Sequence, residues 1–368
     1  MRIFKKLIWR VYLIFLQLRW GISSPAASLL GKACMSDYRS KKLSFFGIWA
    51  IHRMGFTVSD WTFMSVTKNN YKDFLSSVDY FRMHPVNGTY SKWIDDKLTL
   101  KYLCAGTALD RYMPDYYYQI DGTGRILCLM DAPERKDNVL PEDVAQLLRA
   151  KGVLALKLIA GSIGEGFYKA EYRDGVYFLN GKEISLDAFC GTIGMLRNYL
   201  VIEFLSPHEE IAAYCPETVN CIRYQAGSMD GRLKMLKGFI RFGTKRSGFV
   251  ENYNAGGVLC YLDESGCFVQ GNVISEDRLS NLVVYEHPDS GKVLCGKIPM
   301  WDQITEAVEA FGAYFPQLQY MGMDFVVTSD HQVKILEINS LTSLDSLQID
   351  MPVWKTDAAE FFRKRVNK

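Results

Sequence analysis

The stretch MGMDFVVTSDHQVKILEINS, residues 321–340, admits few folds. Its two apolar runs read as strands, and the polar TSDHQ between them as the link of an antiparallel hairpin. In that pairing the end of the second strand faces the start of the first. Asp324 then falls across from Glu337 and Asn339, whose i, i+2 spacing keeps both on one face. An uncompensated carboxylate in such a strand is expensive. Two carboxylates and an amide oxygen on one patch are, however, the hard oxygen donors that Mg2+ takes, completed by phosphate oxygens of a nucleotide and by water. A cap, or a pair with a lysine such as Lys334, is the competing account of Asp324.

The rest of the chain divides around this hairpin. Residues 35–120 read mostly as helix: NNYKDFLSSVDYF has helical spacing, and DDKLTLKYLCAG begins after an acid suited to cap it. In PEDVAQLLRAKG, Pro141, Glu142 and Asp143 make a favourable first turn and Gly152 ends the helix. From there VLALKLI, GVYFLNG, YLVIEFL, CIRYQAG, KGFIRFG, GGVLCYLD and GCFVQGNVI are short β-prone runs bounded by Gly, Asp or Asn. Only SLDAFCGTIGML and the helix around MWDQITEAVEAFGAYF interrupt them. The expected segments are a basic amphipathic N-terminus (1–34), a helix-rich lobe (35–130), a central lobe with a Gly-rich loop (131–205) and a C-terminal lobe with the oxygen patch (206–368). At 368 residues and 48% hydrophobic, the chain has enough apolar surface for two or three cores.

Several runs carry chemistry. LALKLIAGSIGEGFYKAEY sets Lys157 in an apolar strand and follows it with Gly161, Ser162, Gly164 and Gly166. Such a loop can bring backbone N–H groups against phosphate oxygens, with Lys157 as a point charge. The spacing is not that of a P-loop, and a Gly-rich hairpin turn explains the same glycines. YLVIEFLSPHEE ends a hydrophobic strand at Glu203, followed by Phe204 and Leu205. That end can present a carboxylate and backbone groups to a purine edge, with Glu209 or Glu210 for ribose hydroxyls, or it can simply end in solvent. Arg223 and Arg241 each lie in an apolar strand, where the guanidinium needs a carboxylate or phosphate. Pairs with Glu203 or Glu251 would account for one of them. Asn252 and Asn254 precede the flexible pair Gly256–Gly257, marking a candidate acceptor loop. His287 in YEHPDSGK can face that acceptor, with Lys292 and Lys297 for an acidic group, or serve as a turn residue before Pro288.

Charge and cysteine content narrow the function classes. Arg2, Lys5, Lys6, Arg10, Arg19 and Lys32 all precede the first acid, Asp37, and with these six set aside the net +2 becomes −4. The positive charge belongs to the N-terminus, so nucleic acid is not an expected partner of the body. Nine cysteines with no CxxC pair fit a reducing compartment and a cytoplasmic setting. The apolar part of the N-terminus, Leu7–Leu18, contains Arg10 and falls short of the about 20 residues a spanning helix needs. Residues 1–22 read either as an interfacial helix on an anionic membrane face or as a helix packed on the body. With five histidines the chain offers no convincing Ser/His/Asp or Cys/His set.

In this order the strand lysine with its loop (Lys157, GSIGEG), the strand end at Glu203, the strand arginines and the patch GMDF…LEIN resemble the ATP-grasp superfamily. More narrowly, DDKLTLK, VNCIRY, RFG…VENYNAGG, HPDSGKVLCGKIPMW and EIN together resemble the sugar-transfer-associated ATP-grasp family, found among bacterial genes for surface polysaccharides. The resemblance spans residues 90–345 and excludes the basic N-terminus. It implies an α+β ATP-grasp fold, two α+β lobes clasping ATP, preceded by a helix-rich region. It also implies that Lys97 joins Lys157 on the α- and β-phosphates and that Asp324, Glu337 and Asn339 hold Mg2+. Arg223 and Arg241 would hold the charge of the transferring phosphoryl group. The implied activity is a carboxylate–amine ligase that uses ATP to make an acyl phosphate, with a kinase or a non-catalytic nucleotide-binding partner of a glycosyltransferase as alternatives. Cys221 stands where the family tends to have threonine, and EINS replaces a longer polar tail, so the acceptor side departs from the family pattern.

Overall fold

The computed structural model describes residues 2–40, 43–160, 166–248, 250–276 and 280–366. Helices come first: α1 (Arg2–Trp20), α2 (Ser24–Ser40), α3 (Phe45–Arg53), α4 (Val58–Phe63), α5 (Ser77–Met83), α6 (Lys92–Asp95) and α7 (Lys97–Cys104). Strands β1 (Tyr116–Ile120) and β2 (Ile126–Cys128) lead to α8 (Pro141–Lys151), β3 (Val153–Leu158), β4 (Tyr168–Arg173), β5 (Val176–Leu179), β6 (Lys182–Ile184), α9 (Leu186–Met195) and β7 (Tyr199–Glu203). The remainder holds α10 (Glu209–Ala212), β8 (Ile222–Met229), β9 (Arg232–Phe242), β10 (Val258–Leu262), β11 (Cys267–Phe268), β12 (Gly271–Ile274), β13 (Asn281–Val284) and β14 (Gly296–Lys297). It ends with α11 (Trp301–Tyr314), β15 (Tyr320–Val327), β16 (Val333–Asn339) and α12 (Ala359–Val366).

Two seven-stranded antiparallel sheets result, in the orders β2-β1-β7-β3-β4-β5-β6 and β13-β12-β10-β9-β8-β15-β16, and β11 pairs with β14 apart from both. Each sheet buries one face under helices. Val144 and Leu148 of α8 and Phe189 and Ile193 of α9 pack with Leu154, Leu156 and Val201 of the first sheet. Ile304, Val308 and Phe311 of α11, at helical spacing, pack with Ile222, Ile240 and Met323 of the second. A third core joins α3, α4 and α5 to α12 through Ile51, Val58, Tyr80 and Phe361.

Local chemistry sets the element ends. Asp96 accepts from the Thr99 N–H at 2.7 Å and so starts α7. Pro141 opens α8, and Gly152 closes it at φ +77°. Two expectations differ. The helical spacing of residues 69–81 is broken at Ser76, whose hydroxyl accepts from the Asp79 N–H at 3.1 Å and starts α5 afresh. Residues 116–120, inside the stretch expected to be mostly helix, instead form β1, which pairs with β7 inside the first sheet. A division at residue 130 therefore cuts through that sheet, because the inward tyrosines of β1 find their apolar partners on β7 and α8.

Candidate active site

The hairpin of residues 321–340 forms as the sequence suggests, with Asp324 opposite Glu337 and Gly322 opposite Asn339. The ladder slips after Asp324, and Phe325 pairs with Ile335, which leaves Leu336 as the extra residue of a bulge. Its carbonyl oxygen turns to another partner, accepting from Lys157 Nζ at 3.2 Å. Since Lys157 is on β3 of the first sheet, this bond crosses the space between the sheets.

That space is a cavity of about 540 Å³ lined by both sheets and the N-terminal helices. Lys97, Lys157, Glu203, Phe204, Leu205, Arg223, Arg241, Asn252, Asn254, Asp324, Glu337 and Asn339 all line it. The strand geometry explains why residues so far apart meet. Arg223 on β8 is the register partner of Asp324 on β15, and Asp324 is in turn the partner of Glu337 on β16.

Within the cavity, the arginines hold Asp324. Arg223 donates from Nε to Oδ1 at 2.5 Å and from Nη2 to Oδ2 at 2.7 Å. Arg241 Nη2 lies 3.3 Å from Oδ1 and 3.7 Å from Glu251 Oε1. The lysine pair proposed for Asp324 is corrected here: Lys334 Nζ instead donates to the carbonyls of Arg111 and Met113. Glu203 pairs with neither arginine; its Oε2 accepts from the Asp115 N–H at 3.0 Å. Burial works against the Asp324 charge, but the two guanidinium groups outweigh it and hold the carboxyl below its usual range. Gly322 makes the approach possible, since a Cβ there would meet Thr342 Cγ2 at 2.4 Å and Arg223 Nη1 at 3.2 Å. The Nε of Arg241 is buried with no partner among the described residues, a donor left over for a ligand.

The lysines form the other half. Lys97 Nζ is 3.2 Å from Glu337 Oε2. Burial, and then the charge of Lys97, push Lys157 down to about 7, against the pull of Glu337. Burial raises Glu203 above the ordinary carboxylate range. Phe204 lies under Lys169, with Nζ 5.0 Å from the ring centroid.

Other candidate residues lie elsewhere. Gly161, Ser162 and Gly164 fall outside the described residues; Gly166 has φ +68° and does not line the cavity. Glu209 is exposed on α10. His287 is buried, its Nε2 bonded to the Gly243 carbonyl at 2.8 Å and its Nδ1 accepting from the Asp289 and Ser290 N–H groups, so it holds a turn rather than an acceptor. Lys297 is exposed on β14. Gly256 and Gly257 shape the loop behind Asn254; a Cβ on Gly257 would meet the Glu251 carbonyl oxygen at 2.5 Å. Lys169, Glu251, Asp60 and Asp345 also line the cavity and were not singled out as site residues. Lys169 reaches the cavity through register: it pairs with Ala155, two residues from Lys157, and so shares its face. Asp60 and Asp345 carry no comparable local signal, since tertiary packing alone brings them to the cavity.

Two antiparallel sheets closing over a cavity that carries a strand lysine from one side and an acid–amide patch from the other define an ATP-grasp fold. The chain belongs to the sugar-transfer associated ATP-grasp family, whose model matches residues 81–354. No curated protein matches the chain. Among solved structures it is similar to D-alanyl-alanine synthetase A from Vibrio cholerae (13% identity, 75% of this chain and 65% of that one, TM-score 0.42). It is also similar to the ATP-grasp ligase PsnB complexed with minimal precursor, Mg and ADP (10% identity, 77% and 62%, TM-score 0.39). A third is D-alanine–D-alanine ligase from Bacillus anthracis (13% identity, 77% and 75%, TM-score 0.37). The chain spans just under two thirds of the first two.

Proposed function

We propose that this protein is an ATP-dependent carboxylate–amine ligase that modifies a carboxylated sugar or precursor of bacterial surface polysaccharide with an amino acid or another amine, in the cytoplasm. The observation that carries this reading is the convergence, in one cavity, of Lys97, Lys157 and Arg241 with the Asp324, Glu337 and Asn339 patch. A polyphosphate with a divalent cation satisfies both halves at once.

The donor set fits the cation. Asp324 and Glu337 face each other across the ladder, and their oxygens, with the Asn339 amide oxygen, are hard donors suited to a divalent cation. Glu337 and Asn339 are only partly buried and face the cavity, whereas the Asp324 oxygens are already engaged by Arg223. Glu337 and Asn339 would therefore hold Mg2+, with Asp324 at the edge of the set; bound there, the ion neutralises charge on the β- and γ-phosphates of ATP.

The chain's own groups then divide the work. Glu203, Phe204 and Leu205 receive the purine at the end of β7. Lys97 and Lys157 neutralise α- and β-phosphate oxygens. The substrate carboxylate attacks the γ-phosphorus, the bond to the ADP oxygen breaks, and Arg241 stabilises the charge on the transferring phosphoryl group. The amine attacks the acyl phosphate carbon, the C–O bond to phosphate breaks, and the amine loses a proton. No side-chain nucleophile takes part, and the cysteine nearest the arginines, Cys221, is held as a thiol by burial.

Incubation with Mg-ATP and panels of carboxylates and amines tests this. ADP, free phosphate and an amide product appearing only with both acceptors support the ligase. A phosphorylated hydroxyl product would mean a kinase, and firm ATP binding without turnover a nucleotide-binding partner. Glu337→Gln should cut turnover by about 10²-fold or more while the protein stays folded; unchanged turnover removes Glu337 from the metal set.

A further inference from the structure

Helix α1 has two apolar faces and the fold covers only one. Leu16 is buried, and Tyr12, Leu13 and Trp20 pack with α2. Gly31 of α2 allows the close approach, since a Cβ there would meet Leu13, Trp9 and Leu16 at 3.1–3.3 Å. The opposite face, Phe4, Leu7, Ile8, Val11, Phe15 and Leu18, repeats at helical spacing and is open to solvent, with Phe4 66% and Leu18 83% exposed. Helix α3 adds Phe45, Trp49 and Phe46, the last 78% exposed. Phe45 lies against Tyr38 of α2, with ring centroids 5.3 Å apart, and Cys34, one turn earlier, hydrogen-bonds Tyr12 of α1. The α2–α3 corner thus adjoins the helix on which α1 packs. An apolar surface of this kind marks a docking site.

Its charge selects the occupant. Lys6, Arg10, Arg19, Lys32 and Arg39 are exposed on α1 and α2. The first acid, Asp37, is buried and turned inward, accepting from His52 at 2.8 Å and from the Val58 N–H at 2.9 Å. A second copy would bring like charges together across such a face, whereas anionic headgroups complement them. No described helix is long and apolar enough to cross a membrane.

We propose that α1 and the α2–α3 corner dock this protein onto an anionic lipid bilayer, with α1 in the headgroup plane and its apolar stripe in the acyl boundary. The docked layer reaches the catalytic cavity, because α4, packed in the same core as α3, carries Asp60 into the cavity wall.

Sedimentation of the full chain with vesicles tests this directly. Binding to phosphatidylserine-containing vesicles should exceed binding to pure phosphatidylcholine by at least about tenfold and weaken with added salt. The triple variant Leu7→Gln, Val11→Gln, Phe15→Gln and, separately, Lys6→Glu, Arg10→Glu, Arg19→Glu should each lose at least about tenfold in partitioning. Both change solvent-facing positions, and retained binding of a fluorescent ATP analogue confirms that each variant is folded. Equal binding to neutral and anionic vesicles, variants that bind like the parent, or a lipid-indifferent protein that self-associates through this face would each overturn the proposal.

Discussion

Asp324 and Glu337 face each other across one ladder, yet their environments differ enough to separate stability from catalysis. Both oxygens of Asp324 are held by Arg223 inside the core, with Arg241 close behind. Removing one member of such a pair leaves a buried charge without compensation. Asp324→Asn should therefore cost about 3–5 kcal/mol of stability, read as a fall in the denaturant midpoint, and its lost activity would be partly a loss of fold. Glu337 keeps 28% of its side chain exposed beside Lys97. Its neutralisation takes one partner from the largely buried Lys97 but strands no carboxylate inside the core, so it should cost less than Asp324→Asn, which makes Glu337→Gln the cleaner probe of the proposed metal site. The sequence marked both residues through their placement in apolar strands. It could not say that arginines from β8 and β9 neutralise Asp324, because register between distant strands is set by tertiary pairing.

At the scale of elements, the hairpin, α7, α8 and most strands were legible because alternation, caps and breakers act within a few residues. The bulge at Leu336 was not, and it matters most, because its extra residue is the one whose carbonyl meets Lys157. β4 was also missed. Its run YKAEYR is half-buried and charged, so its strand character comes from pairing with β3 rather than from an apolar pattern. The join between β8 and α12 shows the same dependence on packing. Gly227 sits under the ring of Phe361, where a Cβ would come within 2.6 Å of Cδ2 and Cε2. Gly227→Ala should overpack this contact and cost about 1–3 kcal/mol, measured by chemical denaturation. A neutral result would mean that α12 is free to shift.

Across the whole molecule, the two sheets are tied over the cavity by Lys157, whose ammonium from the first sheet meets the Leu336 carbonyl of the second. On the proposed reading, in which Lys157 meets nucleotide phosphate, this lysine makes nucleotide affinity depend on pH. In the free protein it releases its proton near 7, whereas the unfolded chain holds it up to the ordinary lysine value of 10.5. Between those values the unfolded state binds more protons, so this group favours the folded free protein as pH rises. Phosphate reverses the preference, because it stabilises the ammonium form and draws the proton back. Binding of Mg-ATP at pH 8 should take up close to one proton, and at pH 6 almost none, with affinity falling above pH 7 by at most about tenfold per unit. Calorimetry in two buffers of different ionisation enthalpy measures the uptake directly. Lys157→Met should abolish it and weaken binding most below pH 7, where the parent lysine carries its charge. Uptake that persists in the variant would assign the proton to another group and leave Lys157 as a structural tie between the lobes.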